Sequence, residues 1–211
     1  MTAFTAFETT DLHNNIGTQI GRWLADHDHL FNVIHACGPN MGRSVSLSRP
    51  ADPLHARFLV ENVLPYISER FPLRQDKSFR GLMGASFGAV ASLSSAWRHQ
   101  GEFGRLLLQS GSFAFTDIGV HQRGPAFDPI VPFMNEFRDH PGKPADKLFI
   151  SCGTYESLIY ENRSLVPLLQ STGMVVKYQE ARDGHNWENW RDHLRAGLSW
   201  LFPGPLWMVY E

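Results

Sequence analysis

Residues 78–93 read Ser78-Phe79-Arg80-Gly81-Leu82-Met83-Gly84-Ala85-Ser86-Phe87-Gly88-Ala89-Val90-Ala91-Ser92-Leu93. The stretch predicts a strand over Phe79–Met83 and a helix rich in small residues over about Phe87–Trp97. Between them stands Gly84-Ala85-Ser86-Phe87-Gly88, a serine with glycine two places before it and two places after. A strand that turns sharply into a helix crowds the residue at the turn, and glycines at those two positions make room. The start of the helix then aims free N–H groups at the space in front of Ser86, where negative charge is stabilised. Ser86 is therefore the candidate nucleophile, and the Phe87 N–H a candidate donor to an oxyanion.

Working outward, short apolar runs alternate with longer helical patterns, the signature of an α/β fold built on a parallel sheet. A helix is expected over about 11–27, then a strand over Leu30–Ala36 and a polar loop over 38–52. A second helix follows near Pro53–Phe71, with Leu59, Val60, Val63, Leu64 and Ile67 at helical spacing. After the serine, strands are expected at Arg105–Ser110, Lys147–Cys152 and Met174–Glu180. Helices are expected at about Asp128–Asp139, Tyr160–Ser171 and Trp187–Phe202. The continuous runs LLL, LFI and MVV read as internal strands covered by helices on both faces. Ligands in such sheets bind beyond the carboxyl ends of the strands, and each candidate below follows a strand.

The 211 residues suit a single domain spanning 1–211. With 19 basic and 21 acidic residues the formal charge is −2, which argues against a nucleic-acid or membrane surface as partner. No apolar run reaches membrane-spanning length, and residues 1–15 do not look like a secretory signal, so a cytoplasmic location is expected. Cys37 and Cys152 stand at strand ends and read as free, buried thiols; no spacing of cysteine and histidine suggests a metal.

A serine hydroxyl needs a base to remove its proton. In folds with this strand–serine–helix turn the order along the chain is serine, acid, histidine. Among ten histidines, His185 alone lies in the polar segment between the last strand and the last helix, within Asp183-Gly184-His185-Asn186-Trp187. His193 falls inside the helix that follows. The acid is expected from the loop after Lys147–Cys152, which reads Gly153-Thr154-Tyr155-Glu156-Ser157. Glu156 is the first carboxylate there and is the choice; Glu161 and Asp183 are its rivals. Its role would be to hold the imidazole tautomer and stabilise the imidazolium.

The runs GASFGAVASL, LLLQSGSF, FISCGTYESLIYENRSLVPLLQ and DGHNWENWRDHL resemble the esterase family of α/β-hydrolases that includes enterochelin esterases, esterase D, feruloyl esterases and mycolyltransferases. The likeness covers roughly residues 31–202, including His185, Trp187, Trp190 and Arg191, and Leu64-Pro65-Tyr66-Ile67 before the serine strand. It implies an α/β-hydrolase fold and a carboxylic ester hydrolase acting through an acyl-enzyme. It implies the residues Ser86, His185 and Glu156, a small-molecule ester as substrate, and no metal or organic cofactor. An acyltransferase of the mycolyltransferase kind shares the chemistry until water or an alcohol attacks. A third reading is a non-catalytic binding protein derived from a hydrolase.

The front of the chain departs from that family. Its members begin with further strands, and the third ends in a turn that donates to the oxyanion. Here only ten residues precede the first expected helix. The alternation in Thr2–Phe7 suggests a remnant of that third strand, lying between the strands that start near Leu30 and Phe79. The sheet would then be a reduced, mostly parallel one of about five to six strands. The N–H of Glu8 or Thr9 would be the second oxyanion donor. The strand near Leu30 would be an exposed edge, covered by a second copy in a homodimer. For substrate contact the candidates are Phe113, Trp187 and Trp190, which with Phe87 and Phe115 suit an apolar or aromatic acyl group, and Arg43, which would meet a negatively charged substrate.

Overall fold

A computed structural model describes residues 2–4, 32–35, 50–71, 73–116 and 123–203. The sheet has six parallel strands in sequential order: β1 (Thr2–Phe4), β2 (Asn32–His35), β3 (Arg80–Ala85), β4 (Arg105–Gln109), β5 (Lys147–Gly153) and β6 (Val175–Ala181). The last four carry the site. The helices are α1 (Pro53–Phe58), α2 (Leu64–Arg70), α3 (Phe87–Arg98), α4 (Ile130–Asp139), α5 (Ile159–Ser171) and α6 (Trp187–Leu201).

Alternation along the strands divides the core in two. Leu82, Leu106, Leu108, Leu148 and Ile150 pack with Leu59 and residues of α2 through α5 on one face. Met83, Leu107 and Phe149, one residue out of phase, pack on the other face against Leu194, Leu198, Leu201 and Phe202. Helix α6 thus covers the second face, and its first turn lies over the carboxyl ends of β4 and β5. The central strands are buried on both faces, as their unbroken apolar runs require. Strand β6 is expected from its sequence to be internal and is not. It is the outer strand beyond β5, with Val175 exposed, and Lys177 and Glu180 give it the charged character that discourages edge pairing.

The helix expected over Pro53–Phe71 is present with a wide turn in its middle. Residues Leu59–Val63 form a π-helical segment in which the Leu64 N–H bonds to the Leu59 carbonyl. The cause is Pro65, which lacks an N–H and whose ring would press on the carbonyl four residues back. One widened turn ahead of it removes both problems without breaking the helix.

The front of the sheet differs from the expectation. Residues 2–4 do not lie between the other two strands. They pair with β2 alone, Thr2 opposite Asn32 and Phe4 opposite Ile34. Strand β2 pairs directly with β3, Asn32 opposite Arg80 and His35 opposite Met83. A three-residue strand has the length of an edge strand, and each strand here is simply laid beside its predecessor. Two consequences follow. Strand β2 is paired on both sides, so the edge that was to recruit a second copy is not an edge. The carboxyl end of β1 also stands two strands away from β3, which removes the ground for placing Glu8 or Thr9 beside Ser86. Thr9 itself, Arg43, Cys37 and the expected helix over 11–27 lie outside the described residues.

Candidate active site

Strand β3 delivers Ser86 into a conformation that few side chains adopt, with φ 57° and ψ −121°. Backbone bonds hold it there. The Ser86 N–H donates to the Gln109 carbonyl at 2.9 Å, and the Ser86 carbonyl accepts from Ser112 N at 3.2 Å and Ala89 N at 3.2 Å. The turn is tight enough that a Cβ on Gly84 would stand 2.2 Å from the Gly88 carbonyl oxygen. Gly84→Ala therefore forces backbone apart rather than a flexible side chain. We expect it to lower stability by about 3 kcal/mol or more, read from urea unfolding; an alanine variant as stable as the parent would show that the turn is looser than described. As the first residue of α3, Phe87 has an N–H with no intrahelical acceptor.

Three residues far apart in sequence meet at this turn. His185 Nε2 lies 3.0 Å from Ser86 Oγ. Its other ring nitrogen, Nδ1, lies 2.7 Å from Glu156 Oε2. The Glu156 side chain has no solvent exposure, whereas that of His185 is 37% exposed. Burial pushes the Glu156 carboxyl pKa up, but bonds from His185, Ser110 and the Gly153 N–H outweigh it, and the net displacement is downward. Glu156 is thus an acceptor at neutral pH, so Nδ1 carries the imidazole proton and Nε2 is free to accept from the Ser86 hydroxyl.

The lowered pKa has a consequence for stability. A carboxyl whose pKa is depressed by folding stabilises the native state above its unfolded pKa of about 4.3. That contribution is lost as pH falls through the lower, native value. We expect the difference in Tm between the parent and Glu156→Gln to be constant above about pH 5.5 and to shrink steadily below the usual carboxylate range. A difference that does not change down to acid unfolding would mean that Glu156 gains nothing from its partners.

The two rival carboxylates are occupied elsewhere. Asp183 accepts from the Gly184 N–H at 2.7 Å and from Asn186 Nδ2 at 2.9 Å, shaping the turn that carries His185. Glu161 pairs with Arg123. His193 is buried in α6, its Nδ1 2.7 Å from the Asn189 carbonyl. Cys152 is a free thiol within β5, and burial, followed by the neighbouring Glu156, pushes its pKa far up.

The aromatic candidates separate. Phe113 is fully buried within the larger core cluster. Trp187 is partly buried against the cluster under α6. Trp190 stands edge-on to the His185 ring, with centroids 5.1 Å apart, and its indole N–H donates to Ser110 Oγ at 2.9 Å. Phe87 meets Phe127 edge to face at 5.2 Å.

Sequence reasoning missed Ser110, Ser112 and Asn189. Ser110 Oγ donates to Glu156 Oε1 at 2.6 Å. Ser112 Oγ lies 3.2 Å from Ser86 Oγ. Asn189 Nδ2 reaches Glu156 Oε1 at 3.1 Å and the Gly184 carbonyl at 3.0 Å. The available signal was the polar run Gln109-Ser110-Gly111-Ser112 at the carboxyl end of the strand next to β3, where site residues gather. Among the described residues there is no cluster of three or more metal-ligating side chains, and no helix long and apolar enough to cross a membrane.

Comparison with known proteins bears on this geometry. The chain is 33% identical over 167 residues to an acetyl esterase of Caldicellulosiruptor saccharolyticus, covering 68% of this chain and 62% of the relative. It is 27% identical over 160 residues to the iron(III) enterobactin esterase of Dickeya dadantii, covering 74% of this chain and 37% of that protein. It therefore spans less than two thirds of the length of either relative. Among solved structures, the enterobactin esterase of Shigella flexneri superposes with a TM-score of 0.61 at 21% identity, over 73% of this chain and 39% of that one. A fluorophosphonate-binding serine hydrolase of Staphylococcus aureus superposes with a TM-score of 0.58 at 14% identity, over 82% and 83% of the two chains. These likenesses show the α/β-hydrolase fold. The family model described as "Putative esterase" matches residues 45–201, a span that holds Ser86, Glu156 and His185, and the chain belongs to that family.

Proposed function

We propose that the protein hydrolyses carboxylic esters through an acyl-enzyme on Ser86, with His185 as base and Glu156 as acid. The observation that carries the reading is the unbroken hydrogen-bond chain from Glu156 Oε2 through both nitrogens of His185 to Ser86 Oγ, at 2.7 and 3.0 Å. In the first half-reaction Ser86 Oγ attacks the ester carbonyl carbon while its proton passes to His185 Nε2. The resulting imidazolium is stabilised by the ionised Glu156. The carbonyl oxygen becomes an oxyanion that accepts from the Phe87 N–H. The carbon–oxygen bond to the alcohol then breaks, and the alcohol leaves with the proton from Nε2. In the second half, water gives a proton to Nε2 and attacks the acyl carbon; the bond from that carbon to Ser86 Oγ breaks, Nε2 returns the proton to Oγ, and the carboxylic acid leaves.

Family membership and the acetyl esterase relative favour a short acyl group. An acyltransferase differs only in the nucleophile of the second half-reaction. The test is hydrolysis of p-nitrophenyl acetate and butyrate, repeated with a competing alcohol. We expect p-nitrophenol release with free acid as the main acyl product. Ester product in excess of acid at modest alcohol concentration would make the protein an acyltransferase. Absence of turnover on any short or aryl ester would leave the reading of a non-catalytic binding protein.

A further inference from the structure

We infer that Trp190 and Ser110 are positioning residues that act as one relay, Trp190 Nε1–H to Ser110 Oγ–H to Glu156 Oε1, which fixes the carboxylate so that its other oxygen serves His185 alone. The inference rests on the reading of Glu156 as the acid. Its direction is determined by chemistry. An indole N–H can only donate, so at 2.9 Å Ser110 Oγ must accept from it. The hydroxyl proton then has one charged acceptor in reach, Glu156 Oε1 at 2.6 Å. That oxygen also receives the Gly153 N–H at 2.6 Å and Asn189 Nδ2 at 3.1 Å. Three donors on Oε1 pin the carboxylate plane and leave Oε2 facing the imidazole.

Three further features show that the relay is built rather than incidental. Ser110 is fully buried and takes a left-handed φ of 48°, uncommon outside glycine and asparagine. That turn sends its side chain from the end of β4 toward the β5 loop, while its N–H continues the sheet to the Ser151 carbonyl at 2.7 Å. Gln109, its neighbour, donates to the Trp190 carbonyl at 2.7 Å and so holds the backbone of the tryptophan. Finally, the Trp190 ring that holds Ser110 also stands edge-on to His185. One side chain therefore sets both the acid's donor and the imidazole's wall.

The test uses Ser110→Gly and Trp190→Phe, with Glu156→Gln as control. Glycine suits the positive φ and removes the hydroxymethyl group that carries the donor. Phenylalanine keeps an aromatic ring on this side of His185 and removes the pyrrole part of the indole with its N–H. Ser110→Gly loses a bond to the charged carboxylate and Trp190→Phe loses the bond that orients that hydroxyl, so kcat should fall roughly tenfold to hundredfold in the first and by no more than that in the second, with KM within about twofold of the parent. Because the two act in series, the double variant should be no slower than Ser110→Gly alone. The low-field proton resonance of His185 Nδ1–H should move upfield in both, a signature that a purely structural role would leave in place. Ser110→Gly with unchanged kcat and resonance overturns the relay, as does full additivity in the double variant. Should Trp190→Phe fail to fold, Ser110→Gly decides alone. If Glu156→Gln is itself fully active, the acid assignment falls; if it is inactive while Ser110→Gly is normal, only the relay falls.

Discussion

Ser86→Ala is expected to lower kcat/KM for p-nitrophenyl acetate by on the order of 10⁴-fold or more while the protein stays folded. The size follows from what the residue does. Without Oγ no covalent acyl intermediate forms, and what remains is the catalysis that the Phe87 N–H and substrate positioning give to direct attack by water. The fold should survive, because the strain of the turn resides in backbone bonds. Ser86 donates its N–H to Gln109 and accepts from Ser112 N whatever its side chain. Alanine does retain a Cβ at a φ of 57°, so the variant carries the same backbone cost as the parent. A folded alanine variant with more than about a tenth of the parent activity would remove Ser86 from the mechanism.

His185→Ala should fall as far as the serine variant, and His193→Ala should not. The two histidines lie on the same stretch of chain and differ in what they touch. His185 bridges Ser86 Oγ and Glu156, so its loss removes the base and strands an ionised carboxylate. His193 bonds to the Asn189 carbonyl within α6. Its truncation should cost stability, about 1 kcal/mol for a lost neutral hydrogen bond plus the packing lost with the ring. Residual activity per folded molecule should change by less than about threefold. Exogenous imidazole is a useful second reading, since it can occupy the space left by His185 beside Ser86 and restore part of the rate. Equal loss in both variants, with both folded, would contradict the assignment.

Much of this was readable from the residues because it depends on local rules. The turn at Ser86 is written in Gly84 and Gly88, and the close approach to Gly88 shows why a side chain is not tolerated at Gly84. Strands β3–β5 announce themselves because burial on both faces demands unbroken apolar runs. The choice of His185 over His193 needed only the boundary of the last helix. What was not legible depends on tertiary neighbours. Val175 looks like core until the sheet is seen to stop at β6. Phe113 and Trp190 both read as aromatic lining, yet one is sealed in the core and the other is tied by its N–H to Ser110. Ser110 itself is a serine among serines. Its importance comes from a positive φ and from two partners 46 and 80 positions away in sequence. The position of β1 failed for a similar reason, since alternation within a strand says nothing about which strand lies beside it.

Covalent labelling reports whether Ser86 is a nucleophile activated by His185. The folded protein is treated with a fluorophosphonate, and the modified peptide is located by mass spectrometry. One adduct per chain is expected, on Ser86 in the peptide that holds Gly84–Gly88, formed at a rate that drops sharply in His185→Ala and not in His193→Ala. No adduct on folded protein, or an adduct on another residue with Ser86 untouched, would contradict it.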